Sequence, residues 1–258
     1  MSETEINVAS SQDGVRVGRV KAIYRYPVKS MRGESLDEGF LSWRGFMGDR
    51  RFAFIQTEDR SGFPWLTGRE YSALVRYTPS FVEPGDPRKS AVRVRTPDGL
   101  DLPLDSPDLV AHIARAFPRP IHLLQLAINR TFDIAEVSLM TTGTLASLSA
   151  LVGSPLAALR FRPNIVVETP DSAEAYPEDA WVGGSLVFGE GVDAPRTRVI
   201  LKDARCKMVD IDPETGVPQP GVLAALVRGR DSALSGVYGG VERPGVIAVG
   251  TPVFLVRL

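Results

Sequence analysis

The sequence predicts a mostly β protein with a few short helices (α+β), built in two halves that meet near residue 128. Three observations carry this. Short runs of alternating or β-rich residues recur along the chain, separated by turn residues. Helical periodicity is confined to brief segments with recognisable caps. The texture changes around residue 130, where helix-like and strand-like runs begin to alternate.

In order, "VRVGRVKAIYRYPV" (15–28) alternates polar and apolar residues as a half-buried strand does. "RFAFIQ" (51–56), "ALVRY" (73–77) and "AVRVRT" (91–96) read as further strands, parted by "EPGDPRKS" and "TPDG". That spacing predicts a meander or barrel. "SPDLVAHIARAF" is a helix, with Ser106 as its cap, Pro107 at the first helical position, and Leu109, Ile113 and Ala116 on one face. "IHLLQL" (121–126) is a buried strand. In the second half, "TTGTLASLSALVG" (141–153) is a helix ending at Gly153, and "SPLAAL" (154–159) is a short second one. "NIVVE" (164–168), "SLVFG" (185–189) and "RVILK" (198–202) are strands, and "GVLAALVRG" (221–229) is helical. "SGVYGGVE", "GVIAVG" and "PVFLVRL" close the chain as strands.

Composition bounds the function. The chain has 258 residues, 43% hydrophobic and 24% charged, with a net charge of −1. No broad basic field suits nucleic acid or an anionic membrane, so an anionic ligand must be held by a local cluster. No apolar run reaches membrane-spanning length. The first residues are polar and acidic, with no apolar signal core, and residues 1–15 are expected to be a disordered tail. One cysteine cannot form a disulfide within the chain; a cytoplasmic, reducing setting is expected.

Several weak motifs are set aside. "GEGVDA" (189–194) fits a loose dinucleotide pattern, but Pro195 follows and no helix begins there, so it reads as a turn. "NRT" (129–131) fits a glycosylation acceptor that a cytosolic chain would not use. His112 and His122 have no ligand partner at useful spacing. One cysteine is too few for an iron–sulfur cluster.

The remaining chemistry lies in "DARCKMVDIDPETG" (203–216), which holds the lone Cys206, and in three Arg-bearing stretches. "YPVKSMRGE" (26–34) offers Lys29, Ser30 and Arg32; "GDRRF" (48–52) offers Arg50 and Arg51; "RFRPN" (160–164) offers Arg160, Arg162 and Asn164. Guanidinium forks and loop hydroxyls match phosphate geometry. Taken singly, each arginine reads as a solvated surface residue, and Cys206 reads as a small buried hydrophobe. "DIDPETG" is also a good turn formula.

Taken together, these stretches resemble a known family. "IYRYPVKSMRGESLDEGFLSWRGFMGDRRFAFIQ" (23–56) is similar to the β-barrel domain that precedes MOSC domains. "RFRPNIVVE", "EDAWVGGSLVFG", "ARCKMVDIDPETG" and "RPGVIAVGTPVFL" are similar to the MOSC domain itself, and they occur in the family's order. The resemblance implies a MOSC N-terminal β-barrel domain over 16–127 and a C-terminal MOSC β-barrel domain over 128–258, akin to the amidoxime-reducing components.

That resemblance implies a molybdenum-dependent oxidoreductase. Cys206 would ligate molybdenum carried by one pyranopterin (the molybdenum cofactor), a soft thiolate suiting that metal, with Arg205 adding a positive field beside it. Lys29, Ser30, Arg50, Arg162 and Asn164 would hold the cofactor's phosphate and pterin. Thr141 would add a hydroxyl or amide at a helix start. Asp179 and Trp181 of "EDAW" would support the pocket. Where the family has a threonine shortly after the cysteine, this chain has Val209 and Asp210. Asp210 is then either a substrate-side catalytic carboxylate or only a turn residue. The implied activity is reduction of a small N-oxygenated substrate (amidoximes, hydroxamic acids, N-hydroxy base analogues), with electrons from a separate flavin or iron–sulfur protein. The alternative is a sulfur-carrier or cofactor-handling protein without small-molecule turnover.

Overall fold

The structure is a computed structural model that describes residues 14–126, 134–170 and 175–257. The expected tail, the 129–131 sequon and the join near residue 128 fall largely or wholly outside the described residues.

The first half contributes strands β1 (Val15–Arg25), β2 (Glu34–Leu36), β3 (Glu38–Ser42), β4 (Gly45–Phe46), β5 (Phe52–Gln56), β6 (Thr78–Phe81), β7 (Val92–Arg95) and β8 (Asp101–Pro103), then helix α1 (Pro107–Ala114) and β9 (Ile121–Gln125). The second contributes β10 (Val137–Thr141), α2 (Thr142–Val152), β11 (Ile165–Glu168), β12 (Ser185–Phe188), β13 (Arg196–Ala204), α3 (Val222–Arg230), β14 (Leu234–Arg243), β15 (Gly245–Ala248) and β16 (Pro252–Val256).

Seven strands close a barrel in the order β11-β10-β14-β13-β12-β16-β1, sealed by β1 against β11 with Arg19 opposite Glu168 and Ile23 opposite Ile165. Only β10 and β11 run parallel within it. Closure leaves no free sheet edge. Its interior is packed with Val20, Ile23, Leu139, Ile165, Trp181, Leu186 and Val253. Thus β1 comes from the first half yet completes the barrel of the second, and β3 pairs with β15 across the same divide.

The rest of the first half forms a separate core, in which the β5–β9 pair, the β6–β7–β8 sheet and α1 bury Phe54, Leu74, Tyr77, Leu109 and Ile113. A third cluster, with Leu148 of α2 and Leu226 of α3 packed on Phe161 and Val209, backs the turn that carries Cys206.

The helix caps follow the sequence. Ser106 Oγ accepts from the Asp108 amide, Thr141 Oγ1 accepts from the Thr144 amide, and Gly153 takes the left-handed conformation at φ 77°. Three local readings are corrected. Residues 73–77 do not form a strand: Ser72–Arg76 is a 3-10 turn that buries the adjacent Leu74 and Val75 on one side, which alternation across a strand forbids. Of the helix expected over 154–159, only Ala158–Arg160 turns, as 3-10. On α1 the buried face continues to Phe117 while Ala116 is exposed. His112 is hydrogen-bonded to Tyr77 (2.9 Å) and Asp98 (3.0 Å), and His122 to Thr57 (3.0 Å). No helix among the described residues is long and apolar enough to cross a membrane.

Candidate active site

Three loops meet around Tyr26, which lies at the end of β1 and is fully buried. Its amide donates to Asp49 Oδ1 at 2.7 Å, its carbonyl accepts from the Arg50 amide at 2.6 Å, and its hydroxyl donates to the Pro163 carbonyl at 3.0 Å. Its ring carries two guanidiniums, Arg162 at 4.3 Å and Arg50 at 4.8 Å from the centroid. Burial pushes the Tyr26 hydroxyl pKa far up; the two arginines oppose that shift but do not cancel it. Gly33 completes the fit, since a Cβ there would come 2.4 Å from Tyr26 Cε1.

Backbone strain collects here. Among the described residues, five that are not glycine have positive φ, and three of them are Ser30 (65°), Arg50 (47°) and Arg162 (56°), one in each loop. Side-chain-bearing residues take this conformation at a cost of order 1–2 kcal/mol, and such residues cluster at ligand sites.

The thiol's turn is tied to these loops by arginine side chains. β13 delivers Arg205, whose Nη1 donates to the Phe161 carbonyl and Nε to the Ser235 carbonyl, both at 2.7 Å, while the guanidinium pairs with Asp203 at 2.9 Å. Both partners of that pair are buried, with side chains 6% and 3% exposed. Arg162 Nη1 donates to the Met31 carbonyl at 2.8 Å, linking the 160–164 loop to the Lys29–Ser30 loop. Arg160 Nη1 donates to the Val209 carbonyl (3.2 Å) and Nη2 to Asp212 (3.1 Å) and Gln219 (2.8 Å). Burial lowers the Arg160 pKa, opposed by the carboxylates of Asp212 and Asp210. Arg32 donates to the Pro213 carbonyl (3.1 Å) and to Glu214 (2.6 Å). Between these elements lies a small cleft lined by Arg32, Arg160, Arg162 and Met208.

Cys206 begins the 3-10 turn Lys207–Asp210, with its carbonyl accepting from the Val209 amide, and its thiol is free and exposed. The reading of this residue as a buried hydrophobe is thereby corrected. Among the described residues there is no group of three or more His, Cys, Asp or Glu able to hold a metal, so a metal at Cys206 must bring most of its ligands with it.

The other singled-out residues separate by environment. Lys29 is half-buried, its amide donating to the Phe52 carbonyl at 2.8 Å. Ser30 is buried in the same loop. Asn164, only 1% exposed, bridges strands: Nδ2 donates to the Tyr24 carbonyl (3.2 Å), and Oδ1 accepts from the Ser138 amide (3.1 Å) and Arg50 Nη1 (3.5 Å). Thr141 is buried, capping α2 and donating to Glu178 Oε2 at 2.6 Å. Asp210 Oδ1 accepts from the Leu223 amide at 2.9 Å, serving the first turn of α3. Asp179 pairs with Lys202 and Arg230, and Trp181 lies in the barrel core. The sequence reading missed Tyr26 and Glu178 as organising residues. For Tyr26 the signal was there, an aromatic placed just before Pro27 where the strand must stop.

Comparison with known proteins gives matches over both halves of the chain. The MOSC N-terminal beta barrel domain model matches residues 17–127, and the MOSC domain model matches residues 131–254. The human mitochondrial amidoxime-reducing component 1 is 26% identical over 93% of this chain and 83% of its own length. The bovine mitochondrial amidoxime reducing component 2 is 27% identical over the same shares. Among solved structures, the YUAD protein from Bacillus subtilis aligns over 94% of this chain and 97% of its own, at 13% identity and a TM-score of 0.49. Two family models in the right order, spanning all four clustered loops, identify the chain as a MOSC-domain protein with a MOSC N-terminal beta barrel domain ahead of it.

Proposed function

We propose that this protein is a molybdenum cofactor-dependent reductase of N-hydroxylated compounds, receiving electrons from a separate flavin or iron–sulfur protein in the cytoplasm. The observation that carries the reading is the exposed Cys206 thiol at the head of the turn whose Met208 lines a cleft with Arg32, Arg160 and Arg162. The relatives named above are amidoxime-reducing components, and MOSC domains are associated with that cofactor.

The donor set fits the group. A thiolate at Cys206 is the soft ligand molybdenum takes, and Ser30, Arg50 and Arg162 present a strained, donor-rich cradle of the kind a buried phosphate and pterin require. When bound, the cofactor supplies two-electron reduction at the N–O bond. That bond is cleaved with two electrons and two protons, leaving an N–H product and water. The protein's part is to bind and orient. Lys29, Ser30, Arg50 and Arg162 hold the anionic carrier. Asn164 acts one step back by fixing Arg50 and the strands on either side, Thr141 by holding the start of α2, and Arg205 by setting the thiol's turn against Phe161. Asp210 acts as the support of α3.

The test is purification from a host that makes the cofactor, followed by molybdenum and pterin analysis and assay of benzamidoxime reduction with a chemical reductant. About one molybdenum per chain with turnover is expected, and Cys206→Ser should lose both while keeping the fold. An exposed thiol also suits a sulfur or cofactor carrier; metal without turnover would favour that reading, and absence of molybdenum would reject both.

A further inference from the structure

Phe63 is 45% exposed at the tip of the segment linking β5 to the Ser72–Arg76 turn. Two cations lie over its ring, the Arg69 guanidinium at 5.1 Å and the Lys29 ammonium at 5.9 Å from the centroid. Lys29 immediately precedes Ser30. Arg69 follows Gly68, which touches the thiol's turn so closely that a Cβ would stand 2.7 Å from Met208 Cε and 2.8 Å from its Sδ. Met208 lines the cleft and is two residues beyond Cys206.

The segment is held firmly. The Gln56 amide donates to the Pro64 carbonyl at 2.8 Å, Leu66 to Phe54 at 2.9 Å, and the Thr67 amide to Glu70 Oε2 at 2.9 Å. Arg69 Nε reaches Thr67 Oγ1 at 3.4 Å. An exposed aromatic edge and a guanidinium are therefore held side by side next to Met208 of the cleft, with a ring for a flat substrate to pack on and a fork for an anionic substituent.

We propose that Phe63 and Arg69 select the substrate: planar aromatic N-hydroxylated compounds bearing a carboxylate or similar anion. This rests on the reductase reading of the same site. Small aliphatic, uncharged N-hydroxy compounds gain neither contact.

The test compares the cofactor-loaded wild type with Phe63→Ala and Arg69→Gln on 4-carboxybenzamidoxime, benzamidoxime and acetamidoxime, with calorimetric binding of 4-carboxybenzamidoxime measured in parallel. Phe63→Ala should raise KM about five-fold for both aromatic probes and spare acetamidoxime. Arg69→Gln should raise KM, and weaken calorimetric binding, about ten-fold for the carboxylated probe alone. In both variants kcat should hold. Equal effects on all three probes, unchanged KM, or no measurable binding to the wild type would overturn the proposal. If the wild type reduces none of the probes but binds 4-carboxybenzamidoxime in an Arg69-dependent way, the selecting wall stands and the reductase reading fails. If turnover is normal and neither variant shifts KM or binding, the reverse holds.

Discussion

Arg205 and Phe161 are joined by a 2.7 Å hydrogen bond from Nη1 to the carbonyl, and that bond sets the thiol's turn against the Arg162 loop. The same guanidinium balances Asp203 in the interior. Arg205→Ala removes the counter-charge of a buried carboxylate and should cost about 3 kcal/mol. Thermal unfolding would show it, and molybdenum retention should fall with it.

Tyr26 offers a graded test. Tyr26→Phe keeps the ring under both guanidiniums and loses only the bond to Pro163, so about 1 kcal/mol is expected. Tyr26→Ala empties a fully buried aromatic position and should cost about 4 kcal/mol. Chemical denaturation of the two variants should separate the hydroxyl from the ring.

Ser30 sits at φ 65°. Ser30→Gly relieves the conformational penalty while loosening the unfolded chain, so stability should change by less than about 1 kcal/mol. Bound molybdenum should nevertheless drop. Loss of metal at unchanged Tm is the expected pair of readings.

Acid should loosen the turn that follows the thiol. The Asp212 carboxyl lies below its ordinary value of 3.8, chiefly through the Thr215 amide, with the Thr215 hydroxyl, the Glu214 amide and the Arg160 charge adding to it. A depressed folded pKa gives stability that is complete above 3.8 and is lost as pH falls through the lower folded value. Asp212→Asn should lower stability at neutral pH and flatten this acid limb, as read by urea unfolding at a series of pH values.

Much of the barrel was legible because short β-rich runs such as Ser185–Phe188 end at turn residues, and because Ser106, Thr141 and Gly153 punctuate helices in ways set by local hydrogen bonding. Ser72–Arg76 was not legible: "ALVRY" is short and β-rich in type, and only its burial, with Leu74 and Val75 both inside, marks it as a turn. The loops bearing Lys29, Arg50, Arg162 and Cys206 could be picked out from their residue types, but not their connections. The bonds from Arg205 to Phe161 and from Arg162 to Met31 span 44 and 131 positions, and no local pattern encodes partners so distant. Nor could charge alone say that Arg160 is a buried clamp on Asp212 and Gln219.

The barrel's seam carries a consequence for synthesis. β1 pairs locally with β2 over Ile23–Arg25, but its other partners, β11 and β16, lie far along the chain. A nascent chain on the ribosome holds β1 without its β11 and β16 partners until each has emerged, and pairing so remote in sequence is slow. The protein should depend on chaperones during that interval, and any stalled product lacking Pro252–Val256 should be left with an open, sticky margin rather than a closed barrel.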